Sequence, residues 1–447
     1  QAYATLGGLL GRFEKFDEAE NFLRKAIELK PDFLEAYFNL GAVLKNLGKI
    51  KEAEQSTRKT IELKPDHAEA HNNLGIILKD IGKLKEAELS IRKAIKLEPC
   101  LAEAHANLGL ILRNMGELNK AEIALKKALE LKSDFGNARS NLGTTLQDQG
   151  KLKELILLSE STLELKSINE GDKLIALLRI TIANFLQNNF SGTLFHINKT
   201  NKLIDKGAIN FIKDKKNRKH ILTFCRFITS LYPLLEKENN NSDLEKIPHI
   251  GESHSLSFAH QTLSISSKLK KIQPVLITGG KAWHFANKEN NEWKDSLKQQ
   301  IKSHNYSTDI FISFGEIDCR KNEGILSYSN KQDKTISEVC EKTIFGYLNH
   351  MESTLSEVYS KRYYFGIPAP TRKKEFLDEL DIKRIKLIKI YNSILKKGVL
   401  SRGSYFLDVY NLTSNKDGEN NSIYMCDGTH LSPKCLTILF ENHLWTP

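Results

Sequence analysis

The tripeptide "NLG" at Asn39–Gly41 returns at Asn73–Gly75, Asn107–Gly109 and Asn141–Gly143, each time 34 positions further along. Thr5-Leu6-Gly7 holds the same site one period earlier; Ala19, Ala53, Ala87 and Ala121 keep the spacing, as do Pro31, Pro65 and Pro99. A fixed period of this length marks a repeat array, whose single units are too small to bury their own apolar face and stack on their neighbours. Every unit reads as two amphipathic helices: Gly48, Gly82, Gly116 or Gly150 ends the first, and a segment like "ELKPD" ends the second. Small residues let the paired helices approach, and proline stops each unit. The pattern fades past Gly150, with Ser133 where proline is due and Leu155 where alanine is due, as suits a terminal repeat.

These positions resemble the tetratricopeptide repeat family, several of them agreeing in phase over successive periods. The resemblance implies a right-handed superhelix of helical hairpins whose concave face takes a protein or peptide partner. Asn39, Asn73, Asn107 and Asn141 also resemble the asparagine ladder in the repeat arm of protein O-GlcNAc transferase, where amides hold an extended peptide backbone. An amide carries both a donor and an acceptor, so a column of them can pair with any main chain. The same side chains would serve equally as caps or bridges between helices, and the sequence leaves both readings open.

With 447 residues the chain has room for two or three domains, and its 40% hydrophobic and 27% charged content is ordinary for a globular protein. No apolar run approaches the roughly 18 residues of a membrane helix. Leu174–Leu186 comes nearest, and Arg179 interrupts it. The net charge of +11 is spread thinly, mostly as Lys alternating with Glu. Its densest cluster, Lys213–His220, lacks the interleaved aromatics of a nucleic-acid surface. A solvated helix face is the favoured reading, and no nucleic-acid partner is expected. The six cysteines show no CxxC spacing, which fits a reducing, cytoplasmic setting. The chain opens at Gln1 inside a repeat, so an upstream segment is expected.

The repeats are assigned to residues 1–165. Residues 166–245 keep helical periodicity without a repeat, as in "DKLIALLRITIANFL", and an asparagine-rich linker is expected at Glu236–Lys246. From 246 to 447 the pattern changes: "KIPHI", "PVLIT", "DIFISF", "RYYFGI" and "YFLDV" read as strands, with helical stretches such as Glu338–Tyr359 and Lys373–Lys397 between them. Such alternation predicts a parallel sheet covered by helices on both faces. The expected fold is therefore multidomain, an all-α solenoid followed by a three-layer α/β domain. Working residues in such sheets sit beyond the carboxyl ends of strands. Polar clusters fall there at Gly251–Ser255, Thr278–His284 and Gly315–Arg320, with a further one at Asp427–His430.

"GESHS", "FGEIDCR" and "DGTHLSP" occur in that order, and they resemble the first (G-D-S-x-S), third (G-x-N-D) and fifth (D-x-x-H) blocks of the SGNH, or GDSL-type, hydrolases. The resemblance implies a flavodoxin-like sheet and a serine esterase, carbohydrate or protein acyl-esterase, or acyl transferase, with an acyl ester as substrate and no cofactor. The chemistry follows from the residue types. A serine hydroxyl needs a base to take its proton during attack. Ser253 is the candidate nucleophile, His430 the base, and Asp427 the acceptor for the other ring N–H. Backbone N–H groups of Ser253, Gly279 and Gly280 are candidates for holding the oxyanion, with His284 as a substitute side-chain donor. Gly315, Asp318 and Arg320 are read as supporting residues, one acid pairing with the arginine to orient the loops. Cys426, His430 and Cys435 match no zinc spacing, so no metal is expected.

Two departures stand out: Glu252 replaces the aspartate of G-D-S, and Ile317 stands where the family places an oxyanion-hole asparagine. Isoleucine donates nothing, and losing one such donor slows acyl chemistry by about 100- to 1000-fold. Two accounts result. In the first, the repeats recruit substrate to a serine hydrolase. In the second, the repeats scaffold a partner and the α/β domain no longer turns over.

Overall fold

A computed structural model describes residues 1–234, 244–265, 267–303, 308–321, 324–371, 378–427, 430–441 and 445–446. Most of the expected linker, and Gly428 and Thr429 of "DGTHLSP", lie outside these residues. The chain forms two compact units, Gln1–Thr145 and Leu146–Pro447.

In the first unit α1 (Ala2–Arg12) pairs with α2 (Phe16–Leu29), α3 (Leu34–Asn46) with α4 (Ile50–Leu63), α5 (Ala68–Asp80) with α6 (Leu84–Leu97), and α7 (Ala102–Asn114) with α8 (Leu118–Leu131). At Gly41, Gly75 and Gly109 the paired helices approach closely. A Cβ on Gly75 would lie 2.5 Å from Ile91 Cδ1, and one on Gly109 would lie 2.5 Å from Leu125 Cγ. The in-phase alanines Ala19, Ala53, Ala87 and Ala121 are fully buried. Gly82, at φ 81°, makes the left-handed turn that ends α5, a conformation with little steric cost only for glycine. A second in-phase device ties the helix starts: His71 Nε2 meets the Pro65 carbonyl at 2.9 Å, and His105 Nε2 meets that of Pro99 at 2.9 Å. Leu74, Leu78 and Ile91 of one hairpin share a core with Leu108, Ile111 and Leu112 of the next, so burial is shared between repeats.

Helix α9 (Gly136–Asp148) spans the boundary, and α10 (Leu152–Leu163), α11 (Glu170–Leu186), α12 (Phe190–Asp205) and α13 (Lys215–Leu231) follow. The sheet comprises β1 (Glu245–Gly251), β2 (Thr262–Ile265), β3 (Lys268–Leu276), β4 (Asp309–Ser313), β5 (Lys361–Phe365), β6 (Tyr405–Leu407) and β7 (Trp445–Thr446), in the order β2-β3-β1-β4-β5-β6-β7. β3, β1, β4, β5 and β6 run parallel, while β2 and β7 pair antiparallel at the edges. The sheet is thus mixed, where the sequence predicted a parallel one. The two edge strands, of 4 and 2 residues, are too short to carry a readable alternation.

The connecting helices are α14 (Ala282–Ala286), α15 (Glu292–Ser303), α16 (Ile325–Gln332), α17 (Ile336–Leu355), α18 (Glu379–Leu400), α19 (Val409–Thr413) and α20 (Lys434–Glu441). The helix expected at Lys373–Lys397 is described only from Glu379, because residues 372–377 lie outside the described set. Successive strand residues point to opposite faces. Ile310, Ile312 and Tyr364 accordingly join a core with Tyr347 of α17 and Tyr391 of α18, whereas Phe311 and Phe365 join Leu436 and Leu439 of α20. A third core is made by α11, α12 and α13 against Leu256 and Ala259, just past the end of β1, and Leu276, the last residue of β3. His260 Nε2 and the Gln273 side chain also bond the Phe185 and Leu186 carbonyls at the end of α11, at 2.7 and 3.1 Å. Residues 170–231 therefore pack directly against the sheet.

Candidate active site

The first cluster begins where β1 ends. A Cβ on Gly251 would run into the Ser313 side chain and lie 2.7 Å from the Ser313 carbonyl, so only glycine lets β1 and β4 finish side by side. Glu252 is extended, and Ser253–Leu256 then form a 3₁₀ turn in which Ser255 Oγ donates to the Glu252 carbonyl at 2.8 Å. Ser253 starts that turn, so its N–H has no acceptor within it. Its side chain is 6% exposed.

The last cluster meets this turn across 177 residues of sequence: His430 Nε2 lies 2.9 Å from Ser253 Oγ. His430 Nδ1 lies 2.7 Å from Asp427 Oδ2, and the His430 N–H donates to Asp427 Oδ1 at 2.7 Å. One carboxylate thus fixes both the ring and the backbone that carries it, which sets the tautomer with Nε2 facing the hydroxyl. The loop is closed by Cys426 N–H on the His430 carbonyl and by Ser432 N–H on that of Tyr424, and Ser432-Pro433 lead straight into α20. The His430 ring stacks on Phe227 of α13, with centroids 3.8 Å apart and planes 20° apart. No sequence signal marked Phe227 for this position, because it belongs to the helical segment without a motif. Ser253 Oγ has a second neighbour, Glu252 Oε2, at 2.6 Å.

Between these two loops lie the remaining clusters. Gly279 takes φ 69°, and the Gly280 N–H donates to the Ile277 carbonyl at 3.1 Å, so that amide is already engaged. His284 stacks flat on Trp293 at 3.4 Å, its Nδ1 accepts from the Lys281 N–H, and burial pushes its pKa down to about 4. It is occupied in bracing α14. The Asp318 carboxyl accepts from the N–H groups of Ala282 (2.9 Å) and Trp283 (3.2 Å), tying the start of α14 to the β4 loop, and burial raises it to about 6. Arg320 pairs with Glu316 instead, Nη2 to Oε2 at 2.8 Å, and Arg384 reaches Oε1 at 3.3 Å. Burial would raise Glu316, but Arg320, His254 and Arg384 outweigh it and hold the group at about 2. Gly315 takes φ 118° beneath the Tyr391 hydroxyl.

An apolar pocket opens among these loops, lined by Phe258, Phe314, Ile317, Phe365, Ile367 and Leu431, with Glu252 and His254 also in its lining. Ile317 is part of this apolar wall. Among the described residues no three His, Cys, Asp or Glu side chains are disposed to hold a metal; Cys426 Sγ contacts the His430 carbonyl at 3.4 Å.

In the repeat unit a groove is lined by Asn72, Asn107, Asn137 and Asn141, with Lys45 and Lys79 along it. Asn107 Nδ2 donates to Asn72 Oδ1 at 2.9 Å, an amide bridge between neighbouring repeats. Asn141 lines the groove as well, while at the second repeat the lining residue is Asn72 rather than Asn73; Asn39 lies outside this lining.

No helix among the described residues is long and apolar enough to cross a membrane. No curated protein sequence is significantly similar to this chain. Among solved structures, it is similar to PilW, a type IV pilus biogenesis factor (20% identity, 49% of this chain and 97% of that one, TM-score 0.42). It is similar to Pseudomonas aeruginosa PilF (20% identity, 45% and 90%, TM-score 0.40) and to MamA (28% identity, 35% and 92%, TM-score 0.32). Tetratricopeptide-repeat family models match residues 12–77, 68–99 and 102–135. The N-terminal unit is an array of tetratricopeptide repeats.

Proposed function

We propose that the unit 146–447 is a serine hydrolase or acyl transferase of the SGNH type acting on an acyl ester, and that the repeats bring it a protein or peptide. The observation that carries this reading is the hydrogen-bonded series Asp427–His430–Ser253, assembled from the turn after β1 and the distant loop before α20. In the reaction, Ser253 Oγ attacks the acyl carbon as His430 Nε2 takes its proton, and Asp427 stabilises the imidazolium that forms. The N–H groups of Ser253 and Gly279 hold the oxyanion; Gly280, committed to Ile277, does not contribute. Collapse releases the alcohol, protonated by His430, and water or an acceptor hydroxyl then repeats the sequence on the acyl-enzyme. The apolar pocket beside the turn takes the acyl group. On the repeat side, Asn72, Asn107 and Asn141 offer amides to an extended backbone.

A fluorophosphonate probe labels Ser253 in this reading, and Ser253→Ala removes both label and ester hydrolysis. A folded wild-type protein that takes no label and cleaves no acyl ester refutes it. The second reading, a scaffold with an inert α/β domain, is favoured by Ile317 in the pocket wall and the engaged Gly280 amide. It predicts partner capture through the repeat groove that Ser253→Ala leaves unchanged, with no labelling in any variant.

A further inference from the structure

We propose that Glu252 is a brake on Ser253. This rests on the reading of Ser253 as nucleophile and concerns how that residue is held at rest. A serine hydroxyl has one proton, and Ser253 Oγ has two acceptors competing for it: Glu252 Oε2 at 2.6 Å and His430 Nε2 at 2.9 Å. When the proton points to the carboxylate it is not shared with Nε2, so His430 cannot take it as Ser253 attacks. When the proton points to Nε2, the carboxylate oxygen faces Oγ at 2.6 Å with no hydrogen between them, which is repulsive. Attack therefore requires the Glu252 carboxylate to leave Oγ first. Its position allows that: Glu252 lines the apolar pocket, so an incoming acyl group displaces it as the pocket fills.

Side-chain length is what brings the carboxylate there. Aspartate, the residue that the "G-D-S" pattern carries at this position, is one methylene shorter, so Glu252→Asp is expected to draw the carboxylate back from Oγ. Releasing a hydrogen bond to a charged group is expected to accelerate attack at least several-fold.

The test measures the rate at which a fluorophosphonate labels Ser253 in the full chain, with circular dichroism confirming the fold of each variant. Glu252→Asp and Glu252→Ala should label at least several-fold faster than wild type, and adding His430→Ala to either should abolish labelling. Wild type that labels while both variants label at the same rate or more slowly overturns the brake and leaves the hydrolase reading standing. Labelling that survives His430→Ala but falls in Glu252→Ala makes Glu252 a base and also overturns it. No labelling in any variant removes the hydrolase reading and the brake with it.

Discussion

A carboxylate out of water stays ionised only when nearby cations repay the lost hydration. Glu316, with a side chain 12% exposed, is in this position between Arg320 and Arg384. Its folded pKa of about 2 lies below the ordinary 4.5, so the stability it contributes is fully present above about 4.5 and is lost as the pH falls toward 2. Glu316→Gln should therefore be less stable than wild type at pH 7 in urea titration, with the difference shrinking through that window. A difference that stays constant from pH 7 to 2.5 would mean the ion pairs contribute nothing specific. Asp318 does a different job with the same chemical group: it accepts two backbone N–H groups of α14 and so fixes the loop that carries Gly279 and Gly280. The sequence presented Glu316, Asp318 and Arg320 as one cluster; which acid met the arginine depended on the turn at Ile317–Cys319.

Among the elements, α13 has the least obvious role in the sequence, yet its Phe227 ring stacks on the candidate base. Phe227 is fully buried against the His430 ring. Its replacement separates packing from positioning. Phe227→Ala should cost about 3–5 kcal/mol of stability through the cavity left behind. Phe227→Leu keeps most of the volume and should cost under about 2 kcal/mol, yet it removes the flat surface that holds the imidazole in plane with Ser253. Labelling of Ser253 should slow in Phe227→Leu far more than its thermal midpoint falls. Equal loss in both would reduce Phe227 to an ordinary core residue.

On the scale of the whole molecule, the position of the functional boundary follows from which surfaces are buried together. Leu256, Ala259 and Leu276 have their cover on α11–α13, so a chain cut at residue 246 would expose that cluster beside the Ser253 turn. A fragment 146–447 should fold cooperatively and keep fluorophosphonate labelling. A fragment 246–447 should aggregate or lose labelling. Retention of both properties by the shorter fragment would show that the helices 152–231 are dispensable to the site.

The sequence by itself determined the repeats, because their information is local: glycine, alanine and proline recur at a period equal to one hairpin, and each hairpin meets only its neighbours. It also displayed the strands of the parallel core and the residue types at their carboxyl ends. Only the tertiary structure decided that His430 reaches Ser253 and that a phenylalanine from an unmarked helix backs the imidazole. Those contacts join segments 177 residues apart or more. No short-range pattern encodes them, since they arise from the order in which strands join a sheet and from which helix covers which end.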